Sequence, residues 1–315
     1  MADQLYTVIG GSGFLGRYIV QRLAAAGHRV RVAVRNPEKA LFLKPLGSVG
    51  QIMPVAASVL NDASLERALE GADGAVNLVG ILFESGKQKF DAVQQEGAAR
   101  CAQIAAAAGL ERFVQMSAIG ADASSDVGYA RTKGRGEHAV LEAFPNATVL
   151  RPSIVFGPED GFLNRFGDLA AKAPFMPLIC GNTRFQPVYV GDVATAVFQA
   201  LTQDDFKGKT YELGGPKTYS FKEVLSFILS ETMRRRPFLP IPTPLAKLQG
   251  AVLGMLPNPP LTLGQVKMLE NDNVVGEGAL GLEAFGIEPT TMESIAPSYL
   301  VRYRPRGRFS KKTAE

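Results

Sequence analysis

The 315-residue sequence predicts an α/β fold, with a doubly wound parallel sheet followed by a smaller C-terminal α+β lobe. Three observations support this prediction. Short apolar runs alternate with helical stretches as far as Pro152, a glycine-rich turn separates the first run from the first helix, and proline and glycine become frequent afterwards. Strands that alternate with helices of about 10–20 residues are typical of βαβ units, whose strands form a parallel sheet.

Six strands and five helices are predicted in the first half of the chain. The strands are short apolar runs at 5–9, 30–34, 52–55, 74–79, 113–117 and 148–151. The helices between them fall at 14–26, 37–43, 62–70, 88–108 and 127–143. The first has apolar residues at helical spacing and ends at Gly27, and the fourth is rich in alanine, the strongest helix former. Residues 1–156 are therefore predicted to form one domain, with a sheet completed by later segments such as 186–192.

A C-terminal lobe is predicted over residues 157–300. Its elements are short strands at 186–190 and 211–213 and helices at 192–201 and 221–232. Ser220 and Glu223 occupy the two positions of a capping box at the start of the last helix. Isolated strands among helices are typical of a lobe built beside a parallel sheet rather than a continuation of it.

The net charge of +4 is unevenly distributed. The last fourteen residues hold six basic residues and one acid, Glu315, so the other 301 residues sum to about −1. Residues 301–315 are therefore predicted to be a basic, disordered tail, because blocks of like charge repel one another and are usually solvated. The basic residues form a terminal arm and not a basic domain face, and we expect no nucleic-acid partner, with a contact of the arm to acidic protein, lipid or RNA as the alternative.

Cysteine and histidine are scarce. Cys101 and Cys180 lie in no paired motif, and His28 and His138 have no ligand-like spacing. We therefore expect a reducing compartment, no disulfide framework and no metal site. The chain begins without a signal-peptide or transit-peptide pattern and has no run of about 18 apolar residues, so no membrane-spanning helix is expected.

The glycine-rich turn predicts a ligand. Gly10, Gly13 and Gly16 form a GxxGxxG pattern between the first strand and the first helix. Gly10 permits the tight turn, Gly13 lets the backbone approach a pyrophosphate, and Gly16 lets the helix pack close to the sheet. The helix N-terminus offers N–H groups and a partial positive charge to phosphates. The pattern predicts a Rossmann-type dinucleotide site. Its further loop contacts are predicted at Ser12, Phe14, Leu15 and Arg17.

The end of the second strand selects the dinucleotide. NAD sites place an acidic residue about 20 residues past the glycines, on the ribose 2′-hydroxyl. This chain has Arg35 there and no acid. A guanidinium pairs with a 2′-phosphate through charge-assisted hydrogen bonds, and Arg17 could add to it. We therefore predict NADPH in preference to NAD, although two solvated surface arginines would give the same sequence.

Further motifs follow the later strands in order. NLVG at 77–80 follows the fourth strand, Ser117 ends the fifth, and RPSIVFGP at 151–158 follows the sixth. Tyr129 and Lys133 form YxxxK on the helix after the fifth strand. In this order the motifs resemble those of the short-chain dehydrogenase/reductase superfamily, in its extended or atypical branch, over residues 4–215. The resemblance implies further cofactor contacts at Val59, Leu78, Val79, Gly80, Ser117, Tyr129, Lys133, Pro152 and Ile154.

The YxxxK pair has a defined chemistry. Residues four apart share one helix face, and a nearby ammonium favours the phenolate, lowering the tyrosine pKa from about 10. Tyr129 could then act as a general acid or base, with Lys133 and Ser117 as the other catalytic residues. The resemblance also implies that the lysine binds the nicotinamide ribose, so the pair could serve cofactor binding alone.

Two departures from the superfamily pattern bear on catalysis. The catalytic serine or threonine usually lies slightly beyond the strand end, where this chain has Ala118 and Ile119. The loop between Ser117 and Tyr129 is short, and residues 57–59 lack the frequent Gly-Asp pair that meets adenine. Whether the protein is an enzyme is therefore left open by the sequence.

Details of four segments are more specific. NLVGIL at 77–82, FLNRF at 162–166, QPVYVGDV at 186–193 and FLPIP at 238–242 resemble the nucleotide-binding accessory subunits of respiratory complex I, in the alphaproteobacterial form. This resemblance implies a tightly held structural NADPH and partners in the peripheral and membrane arms of the complex. It also implies a peripheral position on the cytoplasmic side of a bacterial inner membrane. The alternatives are a free-standing NADP-dependent reductase or epimerase using Tyr129 and Lys133, and a redox-sensing protein with an inactive site.

One apolar segment is not explained by the dinucleotide site. Arg234, Arg235 and Arg236 precede the proline-rich segment 237–260, which includes a predicted helix over 245–256 that is too short to span a bilayer. Arginines beside apolar residues suit a membrane surface, so residues 234–260 are a candidate membrane contact. A helix pair that closes the C-terminal lobe is the alternative, and both could hold.

Overall fold

A parallel sheet of seven strands forms the centre of the first of two units in the computed structural model, which describes residues 4–257 and 259–310. The first unit contains the chain through Pro152 together with Val190–Leu213 and Glu277–Glu288. The second contains Ser153–Tyr189, Gly214–Gly276 and the residues from Pro289 onward.

The strands are β1 Leu5–Ile9, β2 Arg29–Val34, β3 Ile52–Ala56, β4 Gly74–Asn77, β5 Arg112–Met116, β6 Thr148–Pro152, β7 Val155–Phe156, β8 Met176–Leu178, β9 Arg184–Phe185, β10 Val188–Tyr189, β11 Thr210–Leu213, β12 Tyr219–Ser220 and β13 Phe238–Pro240. The large sheet has the order β11-β6-β5-β4-β1-β2-β3, and every neighbouring pair is parallel. The predicted fold class is confirmed.

The α-helices are α1 Phe14–Ala25, α2 Asp62–Leu69, α3 Gly97–Ala107, α4 Gly128–Ala143, α5 Leu163–Lys172, α6 Val190–Thr202, α7 Phe221–Glu231, α8 Thr243–Leu253, α9 Leu263–Met268 and α10 Met292–Leu300. Short 3₁₀-helices occupy Glu38–Leu46, Leu282–Phe285, Val301–Tyr303 and Gly307–Phe309, and one π-helical turn occupies Asp91–Glu96. No helix among the described residues is long and apolar enough to cross a bilayer.

The sheet is buried because helices cover both of its faces. All five residues of β1 are buried, and α1 turns Ile19, Val20 and Leu23 inward. Continuous apolar strands of this kind are characteristic of parallel sheets. Because all seven strands point the same way, the residues that follow their carboxyl ends are brought to one edge of the sheet.

The prediction that residues 186–192 complete the sheet is wrong. Val188 and Tyr189 instead pair with β7 in a separate two-stranded sheet, and α6 begins at Val190. The seventh strand of the large sheet is β11, which pairs with β6. The first continuous segment of the first unit ends at Pro152 and not at residue 156, since β7 pairs with β10 in the second unit.

Two predicted helices differ in type. The 37–43 helix is a 3₁₀-helix over Glu38–Leu46, with Pro45 inside it. The 88–108 helix begins as the π-turn Asp91–Glu96 and becomes α-helical only at Gly97. The helix α4 crosses this turn so closely that a Cβ atom on Gly136 would overlap the carbonyl oxygen of Gln94.

The prediction of a disordered tail is wrong for residues 301–310, and residues 311–315 lie outside the described part. Arg304 donates through Nε to the carbonyl oxygen of Glu231 at 2.7 Å and pairs with its carboxylate. The Tyr303 hydroxyl donates to Asn164, and its ring packs on Gly167, where a Cβ atom would lie 2.6 Å from it. At least one of the basic side chains, that of Arg304, therefore holds residues 301–310 against the rest of the second unit.

The second unit has its own aromatic core. The rings of Phe162, Phe166, Phe185 and Phe221 contact one another, and α7 and α10 pack in the same cluster. The predicted capping box of Ser220 and Glu223 is confirmed at the start of α7. The predicted 245–256 helix is shorter, ending at Leu253 ahead of Gly254.

The close approach of α4 to the π-turn gives a prediction. We expect Gly136→Ala to lower the free energy of unfolding by roughly 1–3 kcal/mol, because the new methyl group meets backbone and not a flexible side chain. Alanine is a better helix former than glycine, so helix propensity alone would predict a gain in stability and not the loss that we expect. Urea unfolding measures the change, and Arg135→Ala, at the exposed neighbouring position, is the control that should be near neutral. Equal stability of Gly136→Ala and the parent would contradict the close contact.

Candidate functional site

The carboxyl edge of the large sheet gathers most of the predicted site residues. The glycine turn follows β1, Arg35 follows β2, Leu78 to Gly80 follow β4, and Ser117 follows β5. In doubly wound sheets this edge is where nucleotides bind. Sequence positions more than one hundred residues apart are therefore brought to one side of a single sheet.

The glycine turn has the backbone that a phosphate cradle needs. Gly10 has φ of +83°, a region that side chains disfavour, and its N–H donates to the carbonyl oxygen of Ala33 at 2.9 Å. No side chain caps α1 and its first turn has no acid, so the positive end of the helix faces the turn. The Gly13 N–H donates to Gly10 at 3.1 Å, and Ser12, Phe14 and Leu15 are partly exposed around it.

Gly16 has a different role from the predicted one. A Cβ atom there would overlap the backbone of Gly11, and not the sheet. Gly11 itself lies against Val8 and Val32, both in the sheet, with a hypothetical Cβ 2.9 Å from Val32. Gly16 therefore lets the first helical turn pass over the loop, and Gly11, which the pattern left out, provides the close approach to the sheet.

Arg17 and Arg35 are the two arginines that the sequence predicts to bind the 2′-phosphate on the adenosine half of the dinucleotide. Arg35 is exposed and makes no hydrogen bond or ion pair with any residue between 4 and 310 that the structure describes. The next residue, Asn36, accepts from the N–H groups of Glu38 and Lys39 and so caps the 3₁₀-helix. The Arg17 guanidinium lies over the Phe42 ring, 5.3 Å from its centre. Arg35 is thus available for an anionic ligand, whereas Arg17 already has a ring contact.

Asn77 shapes the loop after β4. Its buried amide donates to Gln115 at 3.0 Å, and its oxygen accepts from the Val79 N–H at 3.1 Å. The turn through Leu78 and Val79 is therefore held by the last residue of the strand. A Cβ atom on exposed Gly80 would lie 3.3 Å from Lys133 Nζ, so glycine keeps the space in front of that ammonium open.

Tyr129 and Lys133 are both on α4, but their electrostatics differ from the prediction. Burial raises the pKa of Tyr129 to about 12, and its ring packs edge-to-face on Phe90. Burial lowers the pKa of Lys133 to about 8, with the Glu137 carboxylate opposing that shift. The expectation that a neighbouring ammonium lowers the tyrosine pKa is therefore wrong in direction, because loss of hydration outweighs any attraction between the two groups.

Lys133 is anchored to the end of β5. Its Nζ donates to the carbonyl oxygen of Met116 at 3.0 Å, in a position with only 6% of the residue exposed. Gln115 donates to the same oxygen. The ammonium has three N–H groups, so two are left for other acceptors.

Among the buried side-chain atoms that make no hydrogen bond within the described residues, two belong to Ser117 and Gln94. Strand β5 ends at Met116, one residue earlier than predicted, and the Ser117 hydroxyl that follows is buried without a hydrogen bond. The side-chain oxygen of Gln94, on the π-turn, is likewise buried without a hydrogen bond, although the amide nitrogen of the same side chain donates weakly to Thr132. Sequence patterns did not single out Gln94. The signal that could have done so is a polar residue within a predicted helix that is otherwise rich in small residues.

A chain of charges extends from Lys133 into the unit. Glu137, one turn further along α4, is buried and is held by Arg151 of β6 through three hydrogen bonds of 2.5–3.2 Å. Arg151 also contacts Glu212 of β11 at 3.4 Å. Glu137 and Glu212 were not singled out from the sequence, and Arg151 was singled out only as part of the motif at 151–158, because the ion pairs join segments distant in sequence.

The remaining predicted residues are less clearly placed at the site. The Val59 side chain is buried against Gly97 of α3, and its carbonyl oxygen accepts from Arg100. Pro152 ends β6 at the sheet edge, and its carbonyl oxygen accepts from the Ile119 N–H. Ile154 belongs to the second unit, where its carbonyl oxygen accepts from Val188. Among the described residues, no group of three His, Cys, Asp or Glu side chains could hold a metal ion.

The residues present fit a dinucleotide. The uncapped helix and the glycine turn suit phosphates, and exposed Arg35 suits a further phosphate. The unpartnered Ser117 hydroxyl, the open space at Gly80 and the spare N–H groups of Lys133 suit hydroxyl groups of a ribose. Buried polar atoms without partners cost free energy, so a ligand that satisfies them stabilises the site.

The buried Lys133 ammonium gives a second prediction. Between its folded pKa of about 8 and its unfolded value of about 10.4, the unfolded chain binds one more proton, so this residue makes stability rise with pH. Below pH 8 the buried charge opposes folding. We expect Lys133→Met to raise the free energy of unfolding at pH 7 by about 1–3 kcal/mol and to flatten the rise above pH 8.

Urea unfolding of the ligand-free protein at several pH values measures this effect. Arg135→Met, on the exposed side of the same helix, should change neither the stability nor its pH dependence. A lower stability of Lys133→Met at pH 7 would show that the ammonium is stabilised in the fold after all.

Known proteins share these features. A family model described as NAD(P)H-binding matches residues 10–159, and one described as the RmlD substrate binding domain matches residues 122–248. In the solved triphenylmethane reductase of Citrobacter sp. the fold is the same, with a TM-score of 0.73, 19% identity, and coverage of 94% of this chain and 99% of that one.

Two relatives are more similar in sequence. A ceramide reductase of Caulobacter vibrioides is 33% identical over 193 residues, which are 61% of this chain and 59% of the reductase. The mitochondrial NADH dehydrogenase (ubiquinone) 1 alpha subcomplex subunit 9 of Arabidopsis thaliana is 36% identical over 96% of this chain and 78% of that protein. The family predicted from the sequence is thereby confirmed: the chain belongs to the family of NADH dehydrogenase (ubiquinone) 1 alpha subcomplex subunit 9, within the extended short-chain dehydrogenase/reductase superfamily.

Proposed function

We propose that this protein is an accessory subunit of a proton-pumping NADH:quinone oxidoreductase and holds one NADPH as a structural group. Its near full-length similarity to the Arabidopsis subunit supports the assembly. The geometric observation that carries the structural role is the anchoring of Lys133 at the sheet edge. Its Nζ donates to the carbonyl oxygen of Met116 at 3.0 Å and borders the open space at Gly80. The Ser117 hydroxyl that follows Met116 has no partner among the described residues, so both groups suit the hydroxyl groups of a bound ribose.

The proposed contacts follow the sheet edge. Gly10, Gly13 and the amides of Ser12, Phe14, Leu15 and Gly16 hold the pyrophosphate at the end of α1. Arg35 pairs with the 2′-phosphate, and Arg17 borders it. When bound, NADPH supplies a hydride donor, which this role leaves unused. Ser117, Tyr129 and Lys133 bind the nicotinamide ribose. The remaining contacts are Val59, Leu78, Val79, Gly80, Pro152 and Ile154.

The proposed location follows from the resemblance of the sequence to the alphaproteobacterial form of these subunits. The chain would contact subunits of the peripheral and membrane arms, on the cytoplasmic side of a bacterial inner membrane. Occupied by its nucleotide, the first unit has its buried polar atoms satisfied, so binding energy adds to folding energy. Loss of the nucleotide would then weaken the assembly without any change in electron transfer chemistry.

A reductase is the second candidate. The ceramide reductase relative matches 61% of this chain, and Tyr129, Lys133 and Ser117 are all present. In that case the Tyr129 hydroxyl would donate a proton to a substrate carbonyl oxygen. Steady oxidation of NADPH with a carbonyl substrate, abolished by Tyr129→Phe, would favour this candidate.

The choice of dinucleotide is tested at Arg35. We expect the protein to bind NADPH more tightly than NADH, and Arg35→Ala to weaken NADPH binding by about tenfold while leaving NADH binding unchanged, because one charge-assisted pair is lost. Calorimetry on the nucleotide-free protein measures both affinities. Arg29→Ala, at the opposite end of β2, is the matched control. A parent protein without preference between the two nucleotides would rule out this assignment.

The assembly is tested by affinity purification from native membranes solubilised in mild detergent. We expect the tagged protein to copurify with oxidoreductase subunits, and denaturation of the complex to release NADPH that mass spectrometry identifies. Tyr129→Phe should still copurify, because it removes one hydrogen bond to the ribose and leaves the proposed phosphate contacts in place. A protein that copurifies with no oxidoreductase subunit would contradict the proposal.

A further inference from the structure

The helix α8 is apolar on two opposite faces. Ala246 and Gly250, one turn apart, are buried against α9, where a Cβ atom on Gly250 would lie 2.9 Å from backbone of residues 262 and 263. The other face carries Leu245, Leu248 and Val252, which are 48%, 62% and 59% exposed. Surface helices normally place polar residues outward, and a helix that is apolar all round is usually covered.

The apolar face continues beyond the end of the helix. Met255 and Leu256, in the turn that follows, are 85% and 50% exposed. Together these five side chains expose on the order of several hundred Å² of apolar surface, which is the size of a functional patch. We call the surface of Leu245, Leu248, Val252, Met255 and Leu256 the α8 face.

The segment of the chain that carries the α8 face is basic. From Arg234 to Met268 the chain has five basic residues and no aspartate or glutamate. Lys247 pairs with Glu270 of the following segment at 2.8 Å. Arg235 is exposed, and neither it nor Lys267 has an ion pair within the part of the chain that the structure describes.

The three adjacent arginines do not act as one cluster. Arg234 donates through Nε to the carbonyl oxygen of Tyr303, and Arg236 donates through Nε to that of Ala170. Two of the three guanidiniums are therefore tied to the second unit. Within the predicted contact segment 234–260, the candidate surface is therefore the α8 face. Arg235 is the exposed arginine that precedes it in the sequence.

The composition of the α8 face points to lipid rather than protein. Protein interfaces concentrate their binding energy in tryptophan, tyrosine and arginine, and leucine and valine are under-represented there. The α8 face contains only leucine, valine and methionine. At about 1.5 Å per residue, eleven helical residues are too short to span the hydrocarbon core, but they can lie in the plane of the interface. A surround in which the basic residues outnumber Glu270, the acid paired with Lys247, matches an anionic headgroup layer.

We propose that the α8 face inserts into the surface of a bilayer containing anionic lipid and anchors this protein there directly. The inner face of the same helix, through Ala246 with Val266 and Ile179, closes a small core of the second unit. The two sequence alternatives for this segment are therefore combined in one helix. The inference deepens the proposed membrane location and rests on it only for the identity of that membrane.

The test is cosedimentation of the full-length protein with vesicles of equal parts phosphatidylcholine and phosphatidylglycerol. We expect binding that weakens with added salt and is poor on vesicles of phosphatidylcholine alone. Leu248→Ser with Val252→Ser should weaken binding by about tenfold or more, since two apolar side chains are removed from the contact. Arg235→Glu with Lys267→Glu should remove the dependence on phosphatidylglycerol.

A matched control uses other exposed apolar residues. Leu41→Ser with Met53→Ser, in the first unit, makes a similar change at positions 48% and 51% exposed, and should leave vesicle binding unchanged. Thermal melting and NADPH binding check that each variant is folded. Absence of parent binding to the mixed vesicles, or equal loss in both serine pairs, would overturn the inference.

The two proposals fail separately. If the parent protein does not bind vesicles but still copurifies with oxidoreductase subunits, only the proposed bilayer contact is overturned. If, in addition, the Leu248→Ser, Val252→Ser variant lost that copurification, the α8 face would be covered by a protein subunit. A parent that binds vesicles but copurifies with no oxidoreductase subunit would overturn the assembly and leave the bilayer contact standing.

Discussion

The approach of α4 to the π-turn at Asp91–Glu96 is the constraint on which the candidate site depends. Gly136 lets the helix lie on the carbonyl group of Gln94, and Gly134 lets it lie against the backbone of residues 122 and 123. At this distance Lys133 reaches the end of β5, and the partly exposed Tyr129 ring packs on Phe90. Larger residues at the two glycines would lift the helix, and the lysine would no longer reach the strand.

The buried charges are balanced along one line through the first unit. Lys133 faces Glu137, which is held by Arg151, which in turn contacts Glu212. Burying any one of these groups alone would be costly, whereas a paired series is tolerated because each charge has an opposite neighbour. The series joins α4, β6 and β11, so the electrostatic environment of the site extends as far as β11, an edge strand of the sheet.

How much the sequence predicted depends on the distance over which each interaction acts. The glycine turn, the strands of the first half and the capping box at Ser220 rest on neighbouring residues, and they were predicted correctly. The pairing of β11 with β6, the ordered 301–310 segment and the raised pKa of Tyr129 depend on residues far away in sequence. Gln94 and Ser117 could be recognised as unpartnered only after packing had removed their alternatives.

The discontinuity of the first unit affects how the chain can be made. Glu212 of β11 donates its N–H to Leu280, and Phe285 stacks on Phe206, so the sheet is finished by residues from the last fifth of the sequence. During synthesis, residues as far as Phe285 must leave the ribosome before that edge can close. An isolated fragment ending near residue 156 would present β6 as a bare strand edge, which is a template for aggregation. The dinucleotide-binding half is therefore not a separable module.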